Sequence, residues 1–141
     1  MEAVQEHSVV QVLVVDDSKA VRESVPILLD QRLYQVSVAD NGFDALCKLV
    51  AFPPDMVFMD IAMPELDGLQ SCALITANPQ YAHIPIVLMS ENGGPLEQAR
   101  AQLAGASQLI RKPLRKQDLV QAIQALLRTD EGVENVHAIT G

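Results

Sequence analysis

Three short stretches of this sequence are almost wholly apolar, and each stops abruptly on a polar side chain. Val9 to Val15 (VVQVLVV) runs into Asp16-Asp17, Met56 to Met59 into Asp60, and Ile84 to Met89 into Ser90. Runs of this length, rich in β-branched residues and lacking a period-two alternation, suit strands buried on both faces. Such strands belong to parallel sheets covered by helices on each side. The segments between them agree. After Asp16-Asp17, Ser18 is placed to cap a helix in which Val21, Val25 and Leu28-Leu29 form one apolar stripe. Pro26 lies within that stripe, so a local kink is expected.

The rest of the chain repeats the pattern. A weaker strand is expected at Tyr34 to Ala39, and Asn41-Gly42 precedes a helix from about Phe43 to Val50 that ends at Pro53-Pro54. The loop Met63-Pro64-Glu65-Leu66-Asp67-Gly68 leads into a helix through about Thr76. Pro95 suits the first position of a fourth helix, and Gly105 its left-handed close. Gln108 to Ile110 forms a short last strand, Lys112-Pro113 a turn, and Gln117 to Arg128 an amphipathic helix with Leu119, Ala122, Ile123 and Leu126 on one face. Five strand-helix pairs recurring every 20 to 25 residues or so predict an α/β fold. The expected architecture is a doubly wound, five-stranded parallel sheet with right-handed crossovers and helices on both faces.

Length and charge narrow the possibilities. The 141 residues match one globular domain, expected at 9–128, between a flexible N-terminus (1–8) and a disordered tail (129–141). A net charge of −8 disfavours nucleic acid and anionic lipid as partners. Glu2 and Glu6 stand where a secretion signal would be basic, and no apolar run approaches the roughly 18 residues of a membrane span. A cytoplasmic protein without membrane insertion is expected. Cys47 and Cys72 lack metal or redox spacing and are expected to be reduced, buried thiols. His7, His83 and His137 lack ligand spacing, and Met59, Met63 and Met89 are expected in the core.

In an open parallel sheet, ligands bind beyond the carboxyl ends of the strands. Asp16, Asp17, Asp60, Ser90 and Lys112 all follow strand ends, so the fold would gather at one rim residues that are remote in sequence. Taken singly, each Asp is an ordinary loop cap, Ser90 a turn hydroxyl and Lys112 a surface lysine. Together they make a different object. Three carboxylates at one rim call for a hard cation, and Mg²⁺ with oxygen ligands fits that demand. Lys112 adds a point charge for a phosphoryl oxygen and Ser90 a short hydroxyl, the parts needed to transfer a phosphoryl group to an Asp.

These residues resemble the receiver domain of two-component response regulators. VLVVDDSKAVR (Val12 to Arg22), VFMDIAMPELDG (Val57 to Gly68), IPIVLMS (Ile84 to Ser90) and GASQLIRKP (Gly105 to Pro113) match that family's landmarks in order. The resemblance implies a flavodoxin-like sheet of order 2-1-3-4-5. It implies that Asp60 is the phospho-acceptor, and that Asp17, Asp60 and the backbone carbonyl of Ala62 bind Mg²⁺ while Asp16 acts largely through water. Ser90 would be the switch hydroxyl, and Lys112 the phosphoryl contact in a cis Lys112-Pro113 pair. The donor would be a sensor histidine kinase or a phosphotransfer protein. The output would pass to a protein target through the face of helix 4, strand 5 and helix 5. Arg100, Arg111, Lys112, Arg115, Lys116 and Arg128 place six of the ten basic residues on that part of the chain. NGFDALCKL (Asn41 to Leu49) and LDGLQSCALI (Leu66 to Ile75) look similar to the chemotaxis-like receivers that control type IV pili and twitching motility.

Two departures from the family's pattern stand out. Leu109 occupies a position where an aromatic ring often follows the switch, and Glu91 adds a carboxylate after the hydroxyl, where a small residue is usual. Three rivals use the same fold or residues. A Mg²⁺-dependent phosphohydrolase would need an acid or base for water where Ala62 stands. An FMN carrier would need a hydroxyl- and glycine-rich loop where Asp16-Asp17 would repel phosphate. A receiver-like binding module signalling without phosphorylation has no need of the complete acidic set.

Overall fold

The computed structural model describes residues 9–127, and the expected tails, with His7, Arg128 and His137, lie outside the described residues. Five strands, β1 (Val10–Val15), β2 (Tyr34–Ala39), β3 (Met56–Asp60), β4 (Ile86–Ser90) and β5 (Gln108–Arg111), alternate with five helices. These are α1 (Lys19–Leu28), α2 (Gly42–Ala51), α3 (Gly68–Thr76), α4 (Pro95–Leu103) and α5 (Lys116–Leu127). All strand pairings are parallel, in the order β2-β1-β3-β4-β5.

The apolar runs are buried on both faces because alternate side chains enter two separate cores. Leu13, Val15, Val57, Met59, Ile86 and Leu88 pack beneath α2, α3 and α4, where they meet Ala45, Leu49, Cys72, Ile75 and Ala101. Val12, Val14, Met56, Phe58, Val87 and Met89 point the other way, onto Val25 and Leu29 beside α1 and Leu119, Ala122 and Ile123 of α5. Every residue of β3 and β4 is buried. Edge strand β2 alternates, which accounts for its weaker apolar signal.

Helix starts follow local chemistry. Ser18 caps α1 and Asn41 caps α2 by accepting from Val21 and Asp44 N–H. Asp67 and Gln70 form a reciprocal capping box on α3. Pro95 opens α4, and Gly105 follows it at φ +92°. Pro26 sits in the last turn of α1, which ends two residues later at Leu28.

One expectation fails. Cys72 is buried, but Cys47 is exposed. The buried face of α2 carries Ala45 and Leu49, and Cys47 lies about 200° around the helix from each. Met59, Met63 and Met89 are buried as expected, and His83 is exposed in a turn.

Candidate functional site

Strand order reverses between β1 and β3, and the two strands carry Asp16-Asp17 and Asp60 to the same carboxyl edge. A carboxylate oxygen from each of Asp16, Asp17 and Asp60 lies within 4.8 Å of the other two. Asp16 is fully buried, Asp60 is 5% exposed, and Asp17 is open to solvent. They line a cleft of about 290 Å³ together with Ala62, Ser90 and Lys112. The sequence-derived set is therefore assembled in one place, although its members are remote in the chain.

Local bonding fixes each member. Asp16 turns back on its own loop: Oδ1 accepts from Ser18 N–H at 2.9 Å, and its carbonyl accepts from Arg22 Nη1 at 2.9 Å. Asp60 is held from behind by Gly68, whose N–H donates to Ile61 at 2.9 Å. A Cβ on Gly68 would lie 2.1 Å from the Asp60 carbonyl oxygen, so the α3 start fits against the β3 end only without a side chain. Lys112 N–H donates to the Ser90 carbonyl at 2.8 Å, tying the ends of β4 and β5, and the Lys112-Pro113 bond is cis.

The only cation reaching the carboxylates, among the described residues, is Lys112. Its Nζ lies 2.7 Å from Asp16 Oδ2 and 3.4 Å from Asp60 Oδ1. Burial pulls this ammonium down, but hydrogen bonding and charge from Asp16 and Asp60 outweigh it, and its pKa is raised. Burial, then the Asp16 charge, pushes Asp60 up to about 6, against the pull of Lys112 and a hydrogen bond from the Ala62 backbone. Three carboxylates against one ammonium leave two negative charges uncompensated when all are ionised. A divalent cation with oxygen preference matches both the donor type and that residual charge.

Ser90 is buried in the cleft, but its hydroxyl is engaged elsewhere: Oγ donates to Glu97 Oε1. It also accepts from Asn92 and Gly93 N–H at 3.0 Å each. The sequence reading passed over Glu97. An acid in the first turn of a helix has an ordinary role opposite the helix dipole, so nothing in the sequence alone pointed to Ser90. Glu91 lines the cleft and is exposed, whereas Leu109 is half-buried against the core beneath α4.

This combination of sheet order, acidic triad and lysine defines a receiver-type site, and comparison with known proteins agrees. Residues 12–124 match the response regulator receiver domain, and the chain belongs to that family. It is similar to Protein PilG of Pseudomonas aeruginosa, with 38% identity over 121 residues that cover 86% of this chain and 90% of PilG. It is 34% identical to the response regulator MprA of Mycolicibacterium vanbaalenii, covering 93% of this chain but 57% of that protein, so here the match spans little more than half of the relative. Among solved structures, the chemotaxis protein CheY4 of Vibrio cholerae superposes with a TM-score of 0.80 at 28% identity, over 85% of this chain and all of that one. A putative response regulator from Chloroflexus aurantiacus gives 0.81 at 27% identity, over 86% of this chain and all of that one. Among the described residues, no helix is long and apolar enough to cross a membrane.

Proposed function

We propose that this receiver accepts a phosphoryl group on Asp60 and passes the signal on by altered contacts with protein partners. The observation that carries the proposal is the meeting of Asp16, Asp17 and Asp60, with the Lys112 ammonium against Asp16 and Asp60, at the point where strand order reverses. Asp17, Asp60 and the Ala62 carbonyl would hold Mg²⁺, with Asp16 acting through water. The bound cation supplies charge neutralisation for the transferring phosphoryl oxygens.

In this reading an Asp60 carboxylate oxygen attacks phosphorus, and the bond from phosphorus to the donor's imidazole nitrogen breaks. An acyl phosphate forms, and the released imidazole takes a proton from water. Lys112 turns its charge from the carboxylate to a phosphoryl oxygen, a motion of one flexible side chain that already faces Asp60. Ser90 donates its hydroxyl to another phosphoryl oxygen. Ala62 offers no acid or base that would orient water, so the reading is of a phospho-accepting switch rather than a turnover hydrolase.

The donor is proposed to be a sensor histidine kinase or phosphotransfer protein in the cytoplasm. The output face is proposed to be α4-β5-α5, where Arg100, Arg111, Arg115, Lys116, Leu96 and Leu103 are all exposed. Similarity to PilG supports a place in type IV pilus and twitching-motility control. The receiver unit is proposed to span 9–128. Intact-mass measurement after incubation with Mg²⁺ and acetyl phosphate, or with a phosphorylated phosphotransfer protein, tests the central step. One added phosphoryl group that is absent in Asp60→Asn supports it, and no gain from either donor overturns it.

A further inference from the structure

Glu97 lies seven residues past Ser90, on α4, yet its Oε1 accepts one hydrogen bond from the end of β4 and one from the β4-α4 loop. One comes from Ser90 Oγ and the other from Gly93 N–H, at 2.9 Å for the latter. Both bonds draw the Glu97 carboxyl below the usual carboxylate range, with Ser90 the larger cause, so it is an ionised acceptor at neutral pH. Gly93 is the other half of the arrangement. It takes φ +68°, and a Cβ there would meet Arg111 Cγ at 2.7 Å, so the Arg111 stem of β5 lies directly against it. A single carboxylate oxygen thus joins the Ser90 hydroxyl, the β4-α4 loop and the first turn of α4, and the loop in turn abuts β5.

A serine hydroxyl has one proton to give. In the structure that proton goes to Glu97. A phosphoryl group on Asp60 would require the same proton, so the two acceptors compete for it. We infer that Glu97 is a positioning residue that holds Ser90 away from the phosphoryl site, and that its release couples phosphorylation of Asp60 to movement of α4. The inference rests on the proposed phosphorylation of Asp60 and adds to it the element that reports the event. It also supplies what Leu109 lacks: Leu109 is half-buried and has no ring to swing, whereas the Ser90-Glu97 bond must be broken or kept.

Removing a negative charge near the cleft would by itself help an anionic donor, so the test must separate the acceptor from the charge. Labelling rates at Asp60 with subsaturating acetyl phosphate and Mg²⁺ are compared for wild type, Glu97→Ala, Glu97→Gln, Ser90→Ala and the Ser90→Ala/Glu97→Ala double variant. Glu97→Ala is expected to label roughly three- to tenfold faster, the factor of about one net hydrogen bond. Glu97→Gln keeps an oxygen acceptor without charge and is expected within about twofold of wild type. The double variant is expected to match Ser90→Ala, since no hydroxyl remains to be released.

In the labelled wild type, amide exchange at Gly93 should quicken as its two acceptors, Ser90 Oγ and Glu97 Oε1, move apart. Equal rates for Glu97→Ala and a wild type that does become labelled would overturn the inference and leave the phosphorylation reading standing. So would a Glu97→Gln variant as fast as Glu97→Ala, or a gain from Glu97→Ala that persists without Ser90, because both would assign the effect to charge. No labelling of wild type by any donor would overturn both.

Discussion

Replacing Asp60 by Asn should stabilise the fold at neutral pH when divalent cations are chelated. Asp60 is 5% exposed and shares Lys112 with the fully buried Asp16. Its carboxyl is pushed from 3.8 to about 6, burial being the larger cause and the Asp16 charge the next. The raised value means that the folded state disfavours the ionised form. Below about pH 4 the carboxyl is protonated in both folded and unfolded chains, and Asp60 costs nothing through ionisation. Between about pH 4 and 6 the unfolded chain ionises first, and stability falls. Above about pH 6 the full penalty is present. Two units correspond to about 3 kcal/mol at 1.36 kcal/mol each, and partial access of water through the cleft lowers the expectation to about 1–3 kcal/mol. An amide cannot ionise, keeps nearly the same shape and leaves Lys112 to Asp16. The sequence has no Trp, so urea unfolding is followed by far-UV circular dichroism, in chelator, at pH 7.5 and at pH 4. The variant's advantage should be present at pH 7.5 and largely gone at pH 4, with the urea slope unchanged. A variant no more stable than wild type at pH 7.5, or an advantage undiminished at pH 4, would refute the electrostatic account of the site. Added Mg²⁺ should then narrow the gap by stabilising wild type, by about 1.4 kcal/mol at ten times its dissociation constant.

Three further outcomes follow from particular contacts. Gly68→Ala should destabilise the fold by about 1–3 kcal/mol or more in urea unfolding, because its methyl would meet the Asp60 carbonyl oxygen at 2.1 Å and neither backbone can yield cheaply. A thiol reagent at pH 8 should modify one cysteine of the native protein, Cys47, and both after denaturation, because Cys72 is buried and burial pushes its thiol up to about 11. Modification of both at equal rates in the native state would contradict the buried placement. Glu91→Ala should speed acetyl phosphate labelling about two- to threefold, by removing an exposed charge at the cleft mouth. Equal rates would show that Glu91 does not influence entry of the donor.

Much of the fold was legible because β1, β3 and β4 are buried on both faces, and a strand in that setting must be apolar at nearly every position. The site was legible for a related reason. Asp16, Asp60 and Ser90 break those runs at the strand ends, where the topology brings them together. What escaped was set by rotation and reach. Cys47 shares an apolar helix with Ala45 and Leu49, and only the phase of α2 about its axis puts its sulfur in water. Glu97 escaped because a glutamate near a helix start already has a sufficient local reason to be there. Its attachment to Ser90 depends on how the β4-α4 loop doubles back, which Gly93 permits at φ +68°.

The position of Leu109 makes that loop more consequential. Leu109 pairs in register with Leu88 and is half-buried against the core cluster that also holds Ala101 of α4. A leucine in this place contributes through contact area alone and has no polar end to exchange partners. A phosphoryl group arriving at Asp60 can therefore change α4 only through groups whose bonding it alters. In the proposed reading, Lys112 and Ser90 are the cleft side chains that such a group would engage. Lys112 bonds to carboxylates at the ends of β1 and β3, so its reorientation stays within the rim. Ser90 bonds to a side chain on α4. In the proposed reading the hydroxyl is thus the shorter route from the acidic cleft to the outer face, and exchanging its acceptor removes one of the two hydrogen bonds that hold Glu97 in the first turn of α4, without any aromatic rotation.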